Sequence, residues 1–222
     1  MFGAGRFFIA VCFALALAAC GRGPSLPQLG PQDVILAFGD SLTHGTGAGQ
    51  DEAYPAVLAR LTGRSVINAG VPGDTTAGGL ERLPDLLQQH QPRLVLLCLG
   101  GNDMLRKQPR ETTESNLRQL VQAIRASGAE VVLIAVPEPK LFGGAADFYA
   151  RIAEDMQLPL EADIFNDVLK DNRLKSDPIH ANAAGYRVVA ERLAEFLRET
   201  GALCEARLLP QRTRRNAKGK TR

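Results

Sequence analysis

The sequence predicts an α/β fold in which a parallel sheet of about five strands carries helices on both faces. Three observations point there: short continuous apolar runs, helical periodicities that alternate with them, and glycine-rich or polar segments after each run. "VILAF" (34 to 38) opens the series as a buried strand. A helix follows at about 52 to 62, then the strand "SVINA" (65 to 69) and a helix at about 76 to 90. "RLVLLCL" (93 to 99) and "EVVLIAV" (130 to 136) are leucine- and valine-rich, as strands covered on both faces should be. Between them, Leu117, Leu120, Val121 and Ile124 fall at i, i+3, i+4, i+7 in a helix over 113 to 127, which Gly128 stops. A helix at 145 to 157 and a weaker fifth strand, "EADIF" (161 to 165), come next. The last helix, 182 to 199, places Val189, Leu193, Phe196 and Leu197 on one face and ends at Gly201. Neither a repeat nor a second domain is evident.

The chain has 222 residues, 45% of them hydrophobic and 23% charged, which suits one globular core with additions at its ends. Its net charge of +2 is unevenly spread, because "QRTRRNAKGKTR" at 211 to 222 carries six positive charges and no negative one. Setting these aside with Arg6 and Arg22 leaves about −6 for residues 23 to 210, a mildly acidic body. Four segments are expected: a signal peptide (1 to 20), a Gly/Pro-rich tether (21 to 32), the folded domain (33 to 203) and a basic tail (204 to 222). The tail reads as solvated disorder, or as a contact for anionic headgroups or envelope polymers. Beyond its charge nothing suggests a nucleic-acid partner.

At the N-terminus one basic residue precedes an apolar run from Phe7 to Ala19, too short for a comfortable membrane span and suited to a secretory signal. Leu17-Ala18-Ala19-Cys20 resembles the lipobox of bacterial lipoproteins. That resemblance implies cleavage before Cys20, lipidation of its sulfur and amine, and a membrane anchor; Gly21 in place of aspartate favours the outer membrane, on the periplasmic side of the cell envelope. A plain signal peptide that contains a cysteine is the alternative. Only Cys98 and Cys204 would then remain, too few and too distant for a disulfide framework, with Cys98 a small core residue. With three histidines, no H-E-x-x-H and no paired C-x-x-C, neither a metal nor a cofactor is expected.

In parallel sheets functional groups gather where strands hand over to loops and helix starts. "GDSL" (39 to 42) stands just past the first strand, "INAGVPGDTTAGG" (67 to 79) spans the end of the second and the segment beyond it, "GGND" (100 to 103) comes after the third, and "SDPIHANAAGY" (176 to 186) leads into the last helix. Each has a plain structural reading. Ser41 suits a helix start, Pro72-Gly73 a turn, Asn102 a cap, Asp177 the charge at a helix N-terminus, and His180 a packed surface position. Their joint occurrence in this order favours chemistry.

The four blocks together resemble the GDSL, or SGNH, hydrolase family, most closely its bacterial arylesterase and thioesterase I branch. The resemblance implies a three-layer flavodoxin-like fold and a serine nucleophile, Ser41. It implies oxyanion donors at Ser41, Gly73 and Asn102, and a triad completed by Asp177 and His180. The expected reaction is hydrolysis of short to medium acyl esters or thioesters, small-molecule or lipid, by a monomer. Two other readings stay open: an O-acetylesterase acting on envelope carbohydrate, and a catalytically inactive envelope binding protein.

The residue types also make chemical sense. A serine hydroxyl is a poor nucleophile until a base takes its proton, which the imidazole of His180 can do. A carboxylate three residues earlier, Asp177, can hold the other ring nitrogen and stabilise the imidazolium. Donors fixed toward the developing oxyanion each lower the barrier by about 3 kcal/mol, and glycine at 73 leaves the backbone N–H accessible. Asp40 and Asp103 are expected to shape the rim by binding backbone N–H groups. His44 reads as a rim residue and His90 as a helix-end residue. The run Gly45 to Gly49 lacks a dinucleotide fingerprint and reads as a flexible rim loop, and no G-x-S-x-G surrounds Ser41. Leu141, Phe142, Phe148 and Tyr149, in "EPKLFGGAADFY" (138 to 149), read as an apolar wall for an acyl chain, with an amphipathic helix start as the alternative.

Overall fold

The computed structural model describes residues 24 to 138 and 144 to 204. Five parallel strands, β1 (Val34–Gly39), β2 (Ser65–Gly70), β3 (Leu94–Cys98), β4 (Glu130–Ile134) and β5 (Leu160–Glu161), form one sheet in the order β2-β1-β3-β4-β5. This is the expected three-layer α/β architecture. β1 and β3 lie centrally, paired from Ile35 opposite Leu94 to Gly39 opposite Cys98, and β3 is buried along its whole length. Such strands need apolar side chains on both faces, which is why they read as unbroken hydrophobic runs. β2 departs from that expectation. As an edge strand it buries Ala69 and leaves Ser65 and Asn68 exposed.

Eight helices connect and follow the strands among the described residues: α1 (Ser41–His44), α2 (Tyr54–Thr62), α3 (Thr76–His90), α4 (Gly101–Leu105), α5 (Arg110–Ala126), α6 (Asp147–Asp155), α7 (Ile164–Lys170) and α8 (Ala183–Glu199). α3, α5 and α6 pack together as one layer, and α2, α7 and α8 as the other. The 117/120/121/124 stripe is buried, as its spacing requires, although α5 begins three residues before the expected 113, directly after Pro109.

Two expectations need correcting here. The fifth strand is the two-residue β5, and the last two residues of "EADIF" instead begin α7, which buries Ile164, Phe165 and Val168 on one face. A short edge strand leaves little ladder exposed, and the aromatic and β-branched residues beside it serve a helix equally well. The expected tether is also partly domain. Leu26 and Leu29 are buried, and their N–H groups donate to Thr200 O at 2.7 Å and Ala202 O at 2.8 Å, just beyond α8. Burying each leucine contributes about 1.5 to 3 kcal/mol, enough to hold the strap down.

This topology fixes the position of the site. The chain leaves β1 toward β2 on one side, and β3 lies on the other, so a crevice opens beyond the carboxyl ends of β1 and β3.

Candidate active site

The residues after β1 turn sharply to deliver Ser41. Asp40 stands ahead of α1, its Oδ1 accepting the Leu42 N–H at 3.0 Å and its carbonyl the His44 N–H at 2.9 Å. Ser41 is therefore the first residue of a one-turn helix, its own N–H left without an intrahelical acceptor. Gly45, left-handed at φ 97°, ends the turn.

From the other side of the crevice comes the loop between α7 and α8. Ser176 N–H donates to His180 O at 3.0 Å, and the Asn182 amide holds Arg173 O at 2.9 Å and Lys175 O at 3.2 Å while its Oδ1 caps α8 through Gly185 N–H at 3.0 Å. Within this frame His180 Nε2 lies 3.0 Å from Ser41 Oγ and Nδ1 lies 2.7 Å from Asp177 Oδ2. Asp177 Oδ1 accepts the N–H groups of Ile179 and His180, each at 2.9 Å. Partial burial works to raise the Asp177 pKa, but the His180 ring and these N–H groups outweigh it and hold the carboxyl below its ordinary value. An ionised carboxylate only accepts, so Nδ1 carries the ring proton and Nε2 is left to accept from Ser41 O–H.

Gly73 and Asn102 reach the same cavity, a cleft of about 690 Å³. Val71 to Asp74 form a turn closed by Asp74 N–H to Val71 O at 3.1 Å, with Gly73 at φ 79°. The Pro-Gly turn and the cavity position are thus compatible readings of one segment. The reason for glycine differs from the expected one: a Cβ at 73 would meet nothing nearer than Arg106 Nη2 at 3.7 Å, so the backbone conformation, not space, demands it. Asn102, in α4 after β3, donates to Asp74 O at 2.9 Å and to Asp40 Oδ2 at 3.3 Å.

A buried polar layer beneath the rim was less legible. Arg82 pairs with Asp74 at 2.7 Å, donates to Ala69 O and Gly39 O, and lies 4.0 Å over the Phe38 ring. It thereby ties the ends of β1 and β2 to the Gly73 turn. Asp103 accepts from Thr76 N–H at 2.9 Å and Thr76 O–H at 2.6 Å. Asp40 is 2% exposed. Burial pushes its carboxyl up to about 7, with Asp74 and Asp103 adding to the shift and Leu42 N–H and His180 opposing it.

The expected apolar wall is corrected at Phe148 and Tyr149. Phe148 and Tyr149 are fully buried core residues in α6, their ring centroids 4.5 Å apart, and Tyr149 O–H donates to Leu99 O at 2.7 Å. Leu141 and Phe142 lie outside the described residues, as do Cys20 and the basic tail beyond Cys204. Among the described residues, the apolar lining comes from Leu42, Leu105, Val136, Leu169 and Ile179. The Gly45 to Gly49 loop is also more closely packed than expected: at Gly47, φ 101°, a Cβ would lie 2.4 Å from Ala181 O. His44 is half-buried at the end of α1, His90 ends α3, and Cys98 is core, its thiol pushed up chiefly by burial.

A nucleophile, a base and an orienting carboxylate, in line at the switch point of a parallel sheet, define a serine hydrolase type of site. The chain belongs to the GDSL-like Lipase/Acylhydrolase family, whose signature spans residues 37 to 188. It is 38% identical over 173 residues to thioesterase 1/protease 1/lysophospholipase L1 of Escherichia coli strain K12, covering 74% of this chain and 83% of that relative. It is 35% identical over 174 residues to an arylesterase of Vibrio mimicus, covering 73% and 87%. Among solved structures, the psychrotrophic esterase EstA from Pseudoalteromonas sp., inhibited by monoethylphosphonate, superposes with a TM-score of 0.69 at 28% identity, over 76% of this chain and 98% of that one.

Proposed function

We propose that the protein is a serine esterase that hydrolyses short to medium acyl esters or thioesters through an acyl-enzyme on Ser41. The observation that carries this reading is the chain of contacts from Ser41 Oγ to His180 Nε2 at 3.0 Å and from His180 Nδ1 to Asp177 Oδ2 at 2.7 Å. Ser41 Oγ attacks the acyl carbon while His180 Nε2 takes the hydroxyl proton, and the carbonyl electron pair moves onto oxygen. Backbone N–H groups of Ser41 and Gly73 and the amide of Asn102 receive that charge; Asn102 does so by exchanging its long contact to Asp40 for one to the oxyanion. Collapse re-forms the carbonyl, breaks the bond to the leaving group and passes the proton from His180 to the departing oxygen or sulfur. Water then repeats the sequence on the acyl-enzyme, releasing the acid and restoring Ser41. The names of the Escherichia coli and Vibrio mimicus relatives, a thioesterase/lysophospholipase and an arylesterase, support ester and thioester substrates.

Labelling with a fluorophosphonate followed by peptide mass spectrometry tests the reading. The adduct is expected on Ser41 and is lost in Ser41→Ala. A label elsewhere, or full esterase rate in Ser41→Ala, would overturn it.

The same proposal includes the setting: a monomer anchored by lipid on Cys20, on the periplasmic side of the outer membrane. The support is the lipobox-like Leu17-Ala18-Ala19-Cys20 sequence. Incorporation of labelled palmitate, abolished by Cys20→Ser, is the expected result, and light scattering reads the oligomeric state.

A further inference from the structure

The three donors assigned to the oxyanion come from three separate segments: Ser41 from the turn after β1, Gly73 from the turn after β2, and Asn102 from α4 after β3. They stabilise a transition state only if they are held at one spacing before it forms. Val71 N–H, donating to Gly39 O at 3.0 Å, supplies part of the link across the ends of β1 and β2. One side chain supplies the rest. Arg82, in the second turn of α3, donates from Nη2 to Gly39 O at 2.9 Å, two residues ahead of Ser41, and from Nη1 to Ala69 O at 2.8 Å, at the end of β2. Its Nε pairs with Asp74 Oδ2 at 2.7 Å, beside Gly73. The carbonyl of the same Asp74 accepts the Asn102 amide at 2.9 Å, so the third donor is set by the residue that the arginine holds.

An exposed ion pair would carry little weight, because water screens it and side-chain entropy opposes it. Here the side chains of Arg82 and Asp74 are 23% and 9% exposed, and the guanidinium lies 4.0 Å from the centroid of the fully buried Phe38 ring. Asp74 is fixed from its other side as well, its N–H donating to Val71 O at 3.1 Å and its Oδ1 accepting the Thr75 N–H at 3.0 Å. A rigid planar fork can meet three acceptors in set directions, which a lysine ammonium on its flexible stem cannot reproduce. Arg82 does not line the cavity, so it acts through these segments and not on the substrate. We infer that Arg82 is the positioning residue of the oxyanion hole, its guanidinium setting the Ser41 turn, the Gly73 turn and the Asn102 amide at the spacing the oxyanion requires. This rests on the acyl-enzyme mechanism of Ser41.

Hydrolysis of nitrophenyl acetate by wild type, Arg82→Lys, Asn102→Ala and the double variant tests it, each rate divided by the amount of serine titrated to completion with a fluorophosphonate. A brace that served the fold alone would change the thermal midpoint and the amount of titratable protein, and leave kcat per serine in place. Arg82→Lys keeps a positive charge beside Asp74 but cannot span the three acceptors. It should lower kcat per serine about tenfold or more, less than outright removal of a donor, with KM within about twofold, because the oxyanion contacts are made in the transition state. In the Asn102→Ala background the same substitution should cost about threefold less than in wild type, since one of the groups it positions is already gone. Losses that multiply in the double variant, or an unchanged kcat per serine in Arg82→Lys, overturn the inference. Should Arg82→Lys not fold, Asp74→Asn, which breaks the ion pair and keeps the backbone carbonyl for Asn102, carries the same cycle with the same expectations. Wild-type hydrolysis with the label on Ser41 leaves the serine-esterase reading standing whatever the cycle shows, whereas no wild-type hydrolysis, or a label elsewhere, overturns both.

Discussion

Asn102 Nδ2 lies 3.3 Å from Asp40 Oδ2, joining the helix after the third strand to the residue immediately ahead of the nucleophile. The same amide donates to Asp74 O at 2.9 Å, so one side chain braces both the serine turn and the turn that carries Gly73. Asn102→Ala should therefore act twice. Loss of an oxyanion donor is expected to lower kcat by about 10²- to 10³-fold with a small change in KM. Loss of the two contacts should cost about 1 to 2 kcal/mol of stability, read separately by urea unfolding.

Asp40 makes stability depend on pH. Its carboxyl is raised from 3.8 to about 7 by burial in the folded state, so between those values the folded protein holds a proton that the unfolded chain has released. The associated stability is fully present below about pH 4 and is lost as pH rises through about 7, an effect of at most about 4 kcal/mol. Asp40→Asn keeps an acceptor for Leu42 N–H and removes the titration. The difference between wild-type and variant urea midpoints should change steadily from pH 4 to 8, and a constant difference would refute the assignment.

Asp177→Asn should lower kcat by about 10³-fold or more, because a neutral amide no longer fixes the Nδ1–H tautomer or balances the imidazolium. In the wild type Asp177 sits below its ordinary carboxylate range, so it stays ionised through moderately acid conditions. Loss of rate on mild acidification is therefore not expected to arise from Asp177, which a pH profile of kcat/KM checks.

Gly73→Ala isolates a backbone effect. Space around the new Cβ is open, yet φ of 79° is costly for an L-residue, by about 1 to 2 kcal/mol. A fall in thermal midpoint together with a kcat loss greater than about tenfold is expected, since the turn that relaxes lines the cavity.

Removing the strap tests the corrected domain boundary. A chain that begins at residue 33 lacks both Leu26 and Leu29 and should lose about 3 kcal/mol or more, while retaining the Ser41–His180 geometry. Its urea midpoint, compared with that of a chain beginning at residue 24, reads this directly.

The sequence made the central strands and the reactive residues legible for different reasons. β1, β3 and β4 are buried on both faces and leave unbroken apolar runs, while Ser41, Asp177 and His180 sit in short blocks whose residue types fit one reaction. β5 was illegible because two paired residues leave no periodic trace, and the apolar residues after it are shared with α7. Phe148 and Tyr149 were misplaced because an aromatic pair at the start of an amphipathic helix looks the same whether it faces a core or a cleft. Leu105, Ile179, Lys170 and Lys175 carry no pattern at all: their place at the cavity comes from the meeting of α4 with α7 and the His180 loop, which only tertiary structure specifies.

The docked strap also sets where a preceding tether would join the body. Leu26 is fastened at the carboxyl end of α8, whereas His180 precedes its amino end, about 25 Å away along 17 helical residues. Leu26 lies six positions after residue 20, a span of no more than about 20 Å. A lipid on Cys20, as proposed above, would therefore tether the body through the carboxyl end of α8, the end opposite His180.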